Sequence, residues 1–204
     1  MSKEAQADHP IHQLITKRWS PYGYGDRPIS EEDLAALFEA ARWAASAYNE
    51  QPWRFIVARS TATEEHEKLL SCLVEPNRDW AKAASVLVLC VVSQSFARNG
   101  KANRTAAHDL GLAAGNLSLE ATARGLSIHQ MSGILPEVAR ETYQIPEGYE
   151  ATTALTIGYP ASPEHAQEPY GERDAAPRTR KPLAELVFEA EWGRAAALKQ
   201  GPNQ

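Results

Sequence analysis

The sequence predicts an α+β domain, a mixed α/β sandwich with helices packed on the faces of a sheet, on three observations. Helix-period apolar stripes alternate along the chain with short β-branched runs. V86-L-V-L-C-V-V92 is an unbroken apolar run of strand length, the mark of a strand covered on both faces. The 204 residues suffice for one sizeable core, and no repeat, low-complexity tract or compositional break divides them. One domain is therefore expected over 1–204, with a loose tail at 1–9 and a loop plus C-terminal extension over 160–204.

The elements follow in order. Ile11, Leu14 and Ile15 have helical spacing and start a short first helix, which ends near Arg18 before Pro21, Gly23 and Gly25. Ser30 with Asp33 resembles a capping box, and Leu34, Leu37, Phe38 and Ala41 behind it predict an amphipathic helix over 31–45. Trp53–Ala58 reads as a strand, 63–74 as a helix through Leu69, Leu70 and Leu73, and 85–92 as the buried strand. The longest helix is expected at 102–124, where Gly111, Ala114 and Gly115 put small residues on one face. Glycine weakens a helix, so such a face implies the close approach of something: another helix, a second subunit or a flat ligand. Leu126–Met131 reads as a short extended segment, Pro136–Tyr143 as a helix with Pro in its first turn, and Ala151–Gly158 as a strand. A long loop from Tyr159 to Pro177 and a short amphipathic helix over Pro182–Trp192 complete the chain.

Composition excludes several classes of function. The net charge of −5 and the absence of a basic excess argue against nucleic acid as a partner. Cys72 and Cys90 are too few for a disulfide framework, and Cys90 sits within the buried run as an apolar thiol. MSKEAQADHPIHQ lacks the apolar core of a signal peptide, and Val86–Val92 is too short to span a bilayer, so a cytoplasmic protein is expected. The six histidines are scattered without H-x-H or H-E-x-x-H spacing, so no metal is expected, and His108 beside Asp109 reads as a helix-surface pair. G-x-S-x-G, G-x-G-x-x-G and the phosphate-loop pattern are all absent.

Two constellations remain. A45-S-A-Y-N-E-Q-P-W53 gathers Ser46, Asn49 and Gln51 where a helix gives way to a strand, supplying donors and acceptors in both directions. That set suits a flat heteroaromatic ligand with amide-like edges, although Ser46 and Asn49 also suit a plain cap and turn. Arg18 and Ser20 near one end of the chain, with Arg178, Arg180 and Lys181 near the other, could form an anion site. From spacing alone, R178-T-R-K181 reads first as a solvated basic patch.

Taken in order, R18-W-S20, A45-S-A-Y-N-E-Q-P-W53, G111-L-A-A-G-N-L-S-L-E-A-T-A-R-G125, Ile157-Gly158-Tyr159-Pro160 and R178-T-R-K-P-L183 resemble the FMN-dependent nitroreductase family. The likeness runs from about Ile11 to Val187, and S-x-x-N-x-Q-P-W is its most specific element. It implies a nitroreductase-like fold, a central mixed sheet wrapped by helices, in an intertwined homodimer with two FMN sites at the subunit interface. It further implies that Arg18, Trp19 and Ser20 meet the FMN phosphate and ribityl chain, with Arg178 and Arg180 closing on the phosphate. Ser46, Asn49 and Gln51 would meet the ribityl chain and the ring edge, Asn77 the pyrimidine end, and Met131, Ser132 and Gly133 the N5 side. Tyr22 and Tyr48 would line the substrate pocket.

The implied activity is reduction of nitroaromatic, quinone or similar flat acceptors by NADH or NADPH in a ping-pong cycle. Flavin N5 carries the hydride in that cycle, so no side chain is an obligatory acid or base. Tyr22 stands where many relatives carry Lys or Arg, and Trp80 where some carry Lys, which implies weaker stabilisation of reduced anionic flavin and a lower reduction potential. Ala45 stands where a Pro is common. The alternative is a flavin-binding protein for storage, sensing or partner binding, with incidental reductase activity. Unusual flavin chemistry on the same fold is a third reading, since fold does not fix function.

Overall fold

The computed structural model describes residues 3–161 and 169–198. Its elements are α1 (Gln13–Lys17), α2 (Glu31–Arg42), β1 (Trp53–Arg59), α3 (Thr63–Leu70), α4 (Glu75–Ala81), β2 (Val86–Ser93), α5 (Ala106–Ala123), β3 (Ser127–Met131), α6 (Pro136–Tyr143), β4 (Tyr149–Gly158) and α7 (Tyr170–Ala175). Single 3-10 turns occur at Ala47–Asn49 and Leu183–Glu185. The α+β sandwich is the architecture observed.

The four strands form one sheet in the order β1-β2-β4-β3, and every neighbouring pair is antiparallel. The mixed sheet expected from sequence is thus antiparallel within this chain. The reason lies in where β4 inserts. β2 and β3 both run against β4, so they are parallel to each other and the α5 crossover between them has the length a parallel connection needs. β4 then fills the gap between them, and no parallel pair touches.

Alternation along β2 divides the core. Leu87, Leu89 and Val91 face a cluster with Leu69, Trp80 and Ala139 from α3, α4 and α6 and with Leu73 from the turn between α3 and α4. Val86, Val88, Cys90 and Val92 face Leu34, Leu37, Ala113 and Leu117 from α2 and α5. The expectation of a strand covered on both faces holds, and Cys90 is fully buried, its thiol pushed up to about 12 by desolvation. Burying each Leu- or Val-sized side chain contributes roughly 1.5–3 kcal/mol.

Several boundaries differ from expectation for local reasons. Ser30 caps α2, its Oγ accepting from Asp33 N at 3.0 Å, but the helix stops at Arg42 because the chain must turn at Trp43 and Ala44. The helix expected at 63–74 ends at Leu70, and a separate α4 follows with Pro76 in its first turn. The expected Tyr159–Pro177 loop contains α7, while residues 162–168 lie outside the described residues. The helix expected over Pro182–Trp192 is contradicted. Only the turn Leu183–Glu185 forms, and the chain then folds back so that Phe188 bridges Ala195. Its apolar residues Leu186, Val187 and Trp192 stay exposed, so nothing among the described residues drives a helical face to be buried. Residues 3–9 have no regular structure, but Ala5 N donates to Thr16 O at 2.8 Å.

The segment after α1 is fixed to the end of β4. Gly25 N donates to Tyr159 O at 2.9 Å and Ala161 N to Gly23 O at 3.1 Å. The Tyr24 hydroxyl pairs with the buried Thr156 hydroxyl at 2.6 Å, and the Tyr24 ring lies where a Cβ on Gly158 would stand. This seam brings the two distant ends of the sequence together.

Candidate functional site

Arg18, at the C-terminal end of α1, lies beside Ser20, its Nη1 at 3.3 Å from the Ser20 Oγ. Arg178 reaches the same place from the C-terminal side, its Nη1 donating to Lys3 O at 2.6 Å and Thr16 O at 2.7 Å. Arg180 follows two residues on. Burial, reinforced by the positive charge of Arg180, pulls the Arg18 guanidinium below its ordinary range. Arg178 is lowered by burial and by Arg18 and Arg180. Three guanidiniums are therefore crowded together, and none of the described ion pairs engages them. They form one side of a cavity of about 600 Å³ whose other walls include Ile11, Ile15 and Leu183. Asp8 and Lys181 also border it, and the Lys181 ammonium lies 3.9 Å from Glu185. Crowded like charges outside the described ion pairs are the electrostatic signature of an anion cradle. The fold returns Arg178 and Arg180 to the neighbourhood of Arg18, while Arg180 and Lys181 remain exposed. Trp19 is half-buried with the Lys3 ammonium 5.5 Å over its ring.

A second group forms where α4 meets the end of β3. Asn77 Nδ2 donates to Gly133 O at 3.0 Å, and Val74 N donates to the same carbonyl at 3.1 Å. A Cβ on Gly133 would stand 2.4 Å from Asn77 Nδ2 and 2.8 Å from Val74 Cγ2, so any larger residue here must displace the Asn77 and Val74 side chains. Met131 is buried and Ser132 exposed beside it.

Tyr22 and Trp80 belong to a ring cluster rather than an open wall. Tyr22 packs edge-on to Trp80 at 4.9 Å and to His129 at 4.6 Å, and stacks on Tyr170 at 5.3 Å. Trp80 is only 4% exposed, so its ring fills the core instead of facing a cofactor, contrary to expectation. His129 Nδ1 lies 3.0 Å from Pro21 O, and burial holds its imidazole below the usual range.

The loop from Ser46 to Gln51 stands apart. No described hydrogen bond, ion pair or ring contact joins it to the arginines. Tyr48, Asn49 and Gln51 have φ of 55°, 57° and 50°, left-handed backbone that non-glycine residues rarely adopt. Ser46 Oγ accepts from Gln51 N at 3.0 Å, and Gln51 Nε2 donates to Asn49 O at 3.0 Å. Asp109 accepts from Ala47 N at 3.1 Å and is 2% exposed. The surface pair expected of His108 and Asp109 is thus contradicted: His108 is exposed, but Asp109 points inward to hold the loop. Tyr48 is 75% exposed, with the Arg98 guanidinium 4.1 Å from its ring centroid.

Sequence reasoning missed the two buried aspartates. Asp109 supports the loop, and Asp174 on α7 accepts from Tyr22 N and Gly23 N. A lone Asp has no spacing pattern, and no signal in the sequence marks either. Among the described residues no His, Cys, Asp and Glu cluster could hold a metal ion, and no helix is long and apolar enough to cross a membrane.

The fold and its side-chain groups define a class: an α+β protein with a crowded arginine cluster and, apart from it, a strained, amide-rich loop. The comparisons give the family. The nitroreductase family model matches residues 15–159, and the chain belongs to the nitroreductase family. A Mycolicibacterium smegmatis protein described only as an uncharacterized 15.4 kDa protein is 32% identical over 69% of this chain and 97% of its own. The major NAD(P)H-flavin oxidoreductase of Aliivibrio fischeri is 28% identical, over 88% of this chain and 98% of its own. Among solved structures, an oxidoreductase containing FMN superposes with a TM-score of 0.87 at 32% identity, covering 94% of this chain and 98% of its own. A Desulfovibrio desulfuricans protein crystallised in complex with FMN superposes with a TM-score of 0.69 at 26% identity, covering 91% and 99%.

Proposed function

We infer that this protein is an NAD(P)H-dependent, nitroreductase-like oxidoreductase with FMN as its cofactor, acting on nitroaromatic, quinone or similarly flat acceptors. The observation that carries the reading is the crowding of Arg18, Arg178 and Arg180, outside every described ion pair, in a chain of this family. Three guanidiniums and the Ser20 hydroxyl suit a phosphate monoester better than any uncharged ligand. The residues present therefore fit FMN. When bound, FMN supplies the hydride chemistry, taking reducing equivalents from NADH or NADPH and passing them to the acceptor in alternating half-reactions.

The chain's own residues bind and orient. Arg18, Arg178 and Arg180 hold the phosphate, with Ser20 adding a donor. Ser46, Asn49 and Gln51 present amide and hydroxyl groups to the ribityl chain and ring edge, and the left-handed loop fixes their direction. The corner of Val74, Asn77 and Gly133 is rigid enough to seat the ring beside backbone N–H groups. The exposed Tyr48 offers a flat surface to acceptor or nicotinamide.

No described contact joins cradle and loop within one chain, and a homodimer would unite them. The exposed face of α5 supports this: a Cβ on Gly111 or Gly115 would meet nothing within 4 Å, and Leu112 is 40% exposed there. Exposed Leu183, Leu186 and Trp192 give the C-terminal extension an apolar surface to lay on a second copy. A cytoplasmic location fits a pyridine nucleotide as reductant.

A storage or sensing role is the second reading: by the family resemblance Tyr22 and Trp80 stand where relatives carry cations, and both rings are taken up in a packed aromatic cluster that offers the flavin no charge of its own. Anaerobic addition of NADH or NADPH to the purified yellow protein separates the two readings. Rapid bleaching of the flavin bands, stoichiometric with subunits, is expected of the oxidoreductase. Flavin that stays oxidised would support storage or sensing, and failure to bind FMN at all would overturn the assignment.

A further inference from the structure

Asp174 has no part in the chemistry above, yet it is a buried acid whose carboxylate is taken up by two backbone N–H groups. It lies on α7, four residues before Arg178, and is 2% exposed. Its Oδ2 accepts from Tyr22 N at 3.0 Å and Gly23 N at 2.9 Å, and its Oδ1 also lies 3.0 Å from Tyr22 N. On the other side of Arg18-Trp19-Ser20, Arg178 donates to Thr16 O. The C-terminal segment is thus attached to the first loop at two points, Asp174 after Ser20 and Arg178 before Arg18. The three phosphate-facing arginines come from these two segments, and their mutual repulsion opposes the arrangement. Something must hold the segments in register, and a charged acceptor of buried backbone N–H groups is a strong fixture.

We propose that Asp174 is a positioning residue that locks the C-terminal segment onto the Tyr22–Gly23 backbone and thereby sets the spacing of Arg18, Arg178 and Arg180 for a phosphate monoester. The proposal rests on the FMN reading above. It assigns Asp174 a role through geometry, not charge, and the two have opposite signs. A negative charge near an anion cradle weakens anion binding, so removing it for electrostatic reasons alone would tighten FMN. Loss of the lock weakens it.

The test compares FMN with riboflavin, which lacks the phosphate, by fluorescence titration of apoprotein from wild type, Asp174→Ala and Asp174→Asn. Wild type binds FMN far more tightly than riboflavin. Asp174→Ala loses about tenfold or more in FMN affinity while riboflavin affinity moves less than about twofold, since only the phosphate contacts are disturbed. Asp174→Asn keeps an acceptor oxygen where Oδ2 stands and stays within about threefold of wild type for FMN. If the alanine variant does not fold, Asp174→Glu carries the test. It has the same charge but is one methylene longer, and the same FMN-selective loss is expected. Equal loss of both ligands would show general disruption and overturn the proposal. Tighter FMN binding in both neutral variants would show that charge alone acts, and would overturn it too. A wild type that does not distinguish FMN from riboflavin would overturn the phosphate reading, and the proposal with it.

Discussion

The arginine cradle and the Ser46–Gln51 loop are both costly to build, and they store the cost differently. The cradle stores it as charge, since Arg18 and Arg178 are each pulled down by burial and by like-charged neighbours. The loop stores it as backbone strain, with Tyr48, Asn49 and Gln51 all at positive φ. Each is held by one buried aspartate, Asp174 for the cradle and Asp109 for the loop. The contrast teaches what each region reads. A cluster of charge recognises a charged group, and a fixed backbone recognises a shape. Variants of the cradle should therefore discriminate between FMN and riboflavin, and variants of the loop should not.

The largest effect is expected from Arg18→Ala. Losing a charge-assisted contact should cost about 2 kcal/mol, roughly thirtyfold in FMN affinity, with little change for riboflavin. The melting temperature of the apoprotein should hold or rise, because repulsion with Arg178 and Arg180 is relieved. Parallel fluorescence titration and thermal melts check both. Asp109→Ala probes the other side of the comparison. It leaves Ala47 N without its partner and should destabilise by about 1–3 kcal/mol, weakening FMN and riboflavin by equal factors. Unequal factors would mean that the loop also reads the phosphate.

Gly133→Ala should come next. The new Cβ cannot fit beside Asn77 Nδ2 and Val74 Cγ2, and displacing them should cost about 1–3 kcal/mol of stability, measurable by urea unfolding. The smallest effect concerns pH. His129 is held below its ordinary value of 6.5 by burial, with Arg18 adding to the depression, while Pro21 O and Asp174 oppose it. A depressed base contributes stability that is complete above the unfolded value and is lost as pH falls below it toward the folded value. Melting temperature should therefore decline from pH 7 to 5, and His129→Gln should flatten part of that decline.

Much of this was legible in the sequence, and the failures have physical reasons. Val86–Val92 could only be a buried strand, and Ser30 with Asp33 could hardly cap anything but α2. Arg18, Ser20, Arg178 and Arg180 were recognisable as a set through resemblance, but only the Tyr24–Gly158 seam shows how residues so far apart meet. α4 was hidden because Pro76 reads equally as a turn or a first helical residue. The Pro182–Trp192 stripe has helical periodicity but no surface within the chain to bury it, so periodicity did not become a helix. Asp109 looked like half of a surface pair because a neighbour in sequence says nothing about which way a helical side chain points. The left-handed loop left no mark either, since Tyr, Asn and Gln carry no glycine to announce positive φ.

The proposed homodimer would supply cradle and loop around one flavin from different protomers, and a mixed dimer tests this most directly. One chain carries Arg18→Ala with Arg178→Ala, and the other carries Ser46→Ala with Gln51→Ala. Each is given its own affinity tag, and the doubly tagged species is isolated after co-expression. Neither homodimer should retain FMN through purification. The mixed dimer should retain one FMN per two chains, because one of its sites pairs an intact cradle with an intact loop. A mixed dimer as empty as its parents would contradict the account, since cradle and loop would then have to be supplied by the same chain or not share a ligand at all.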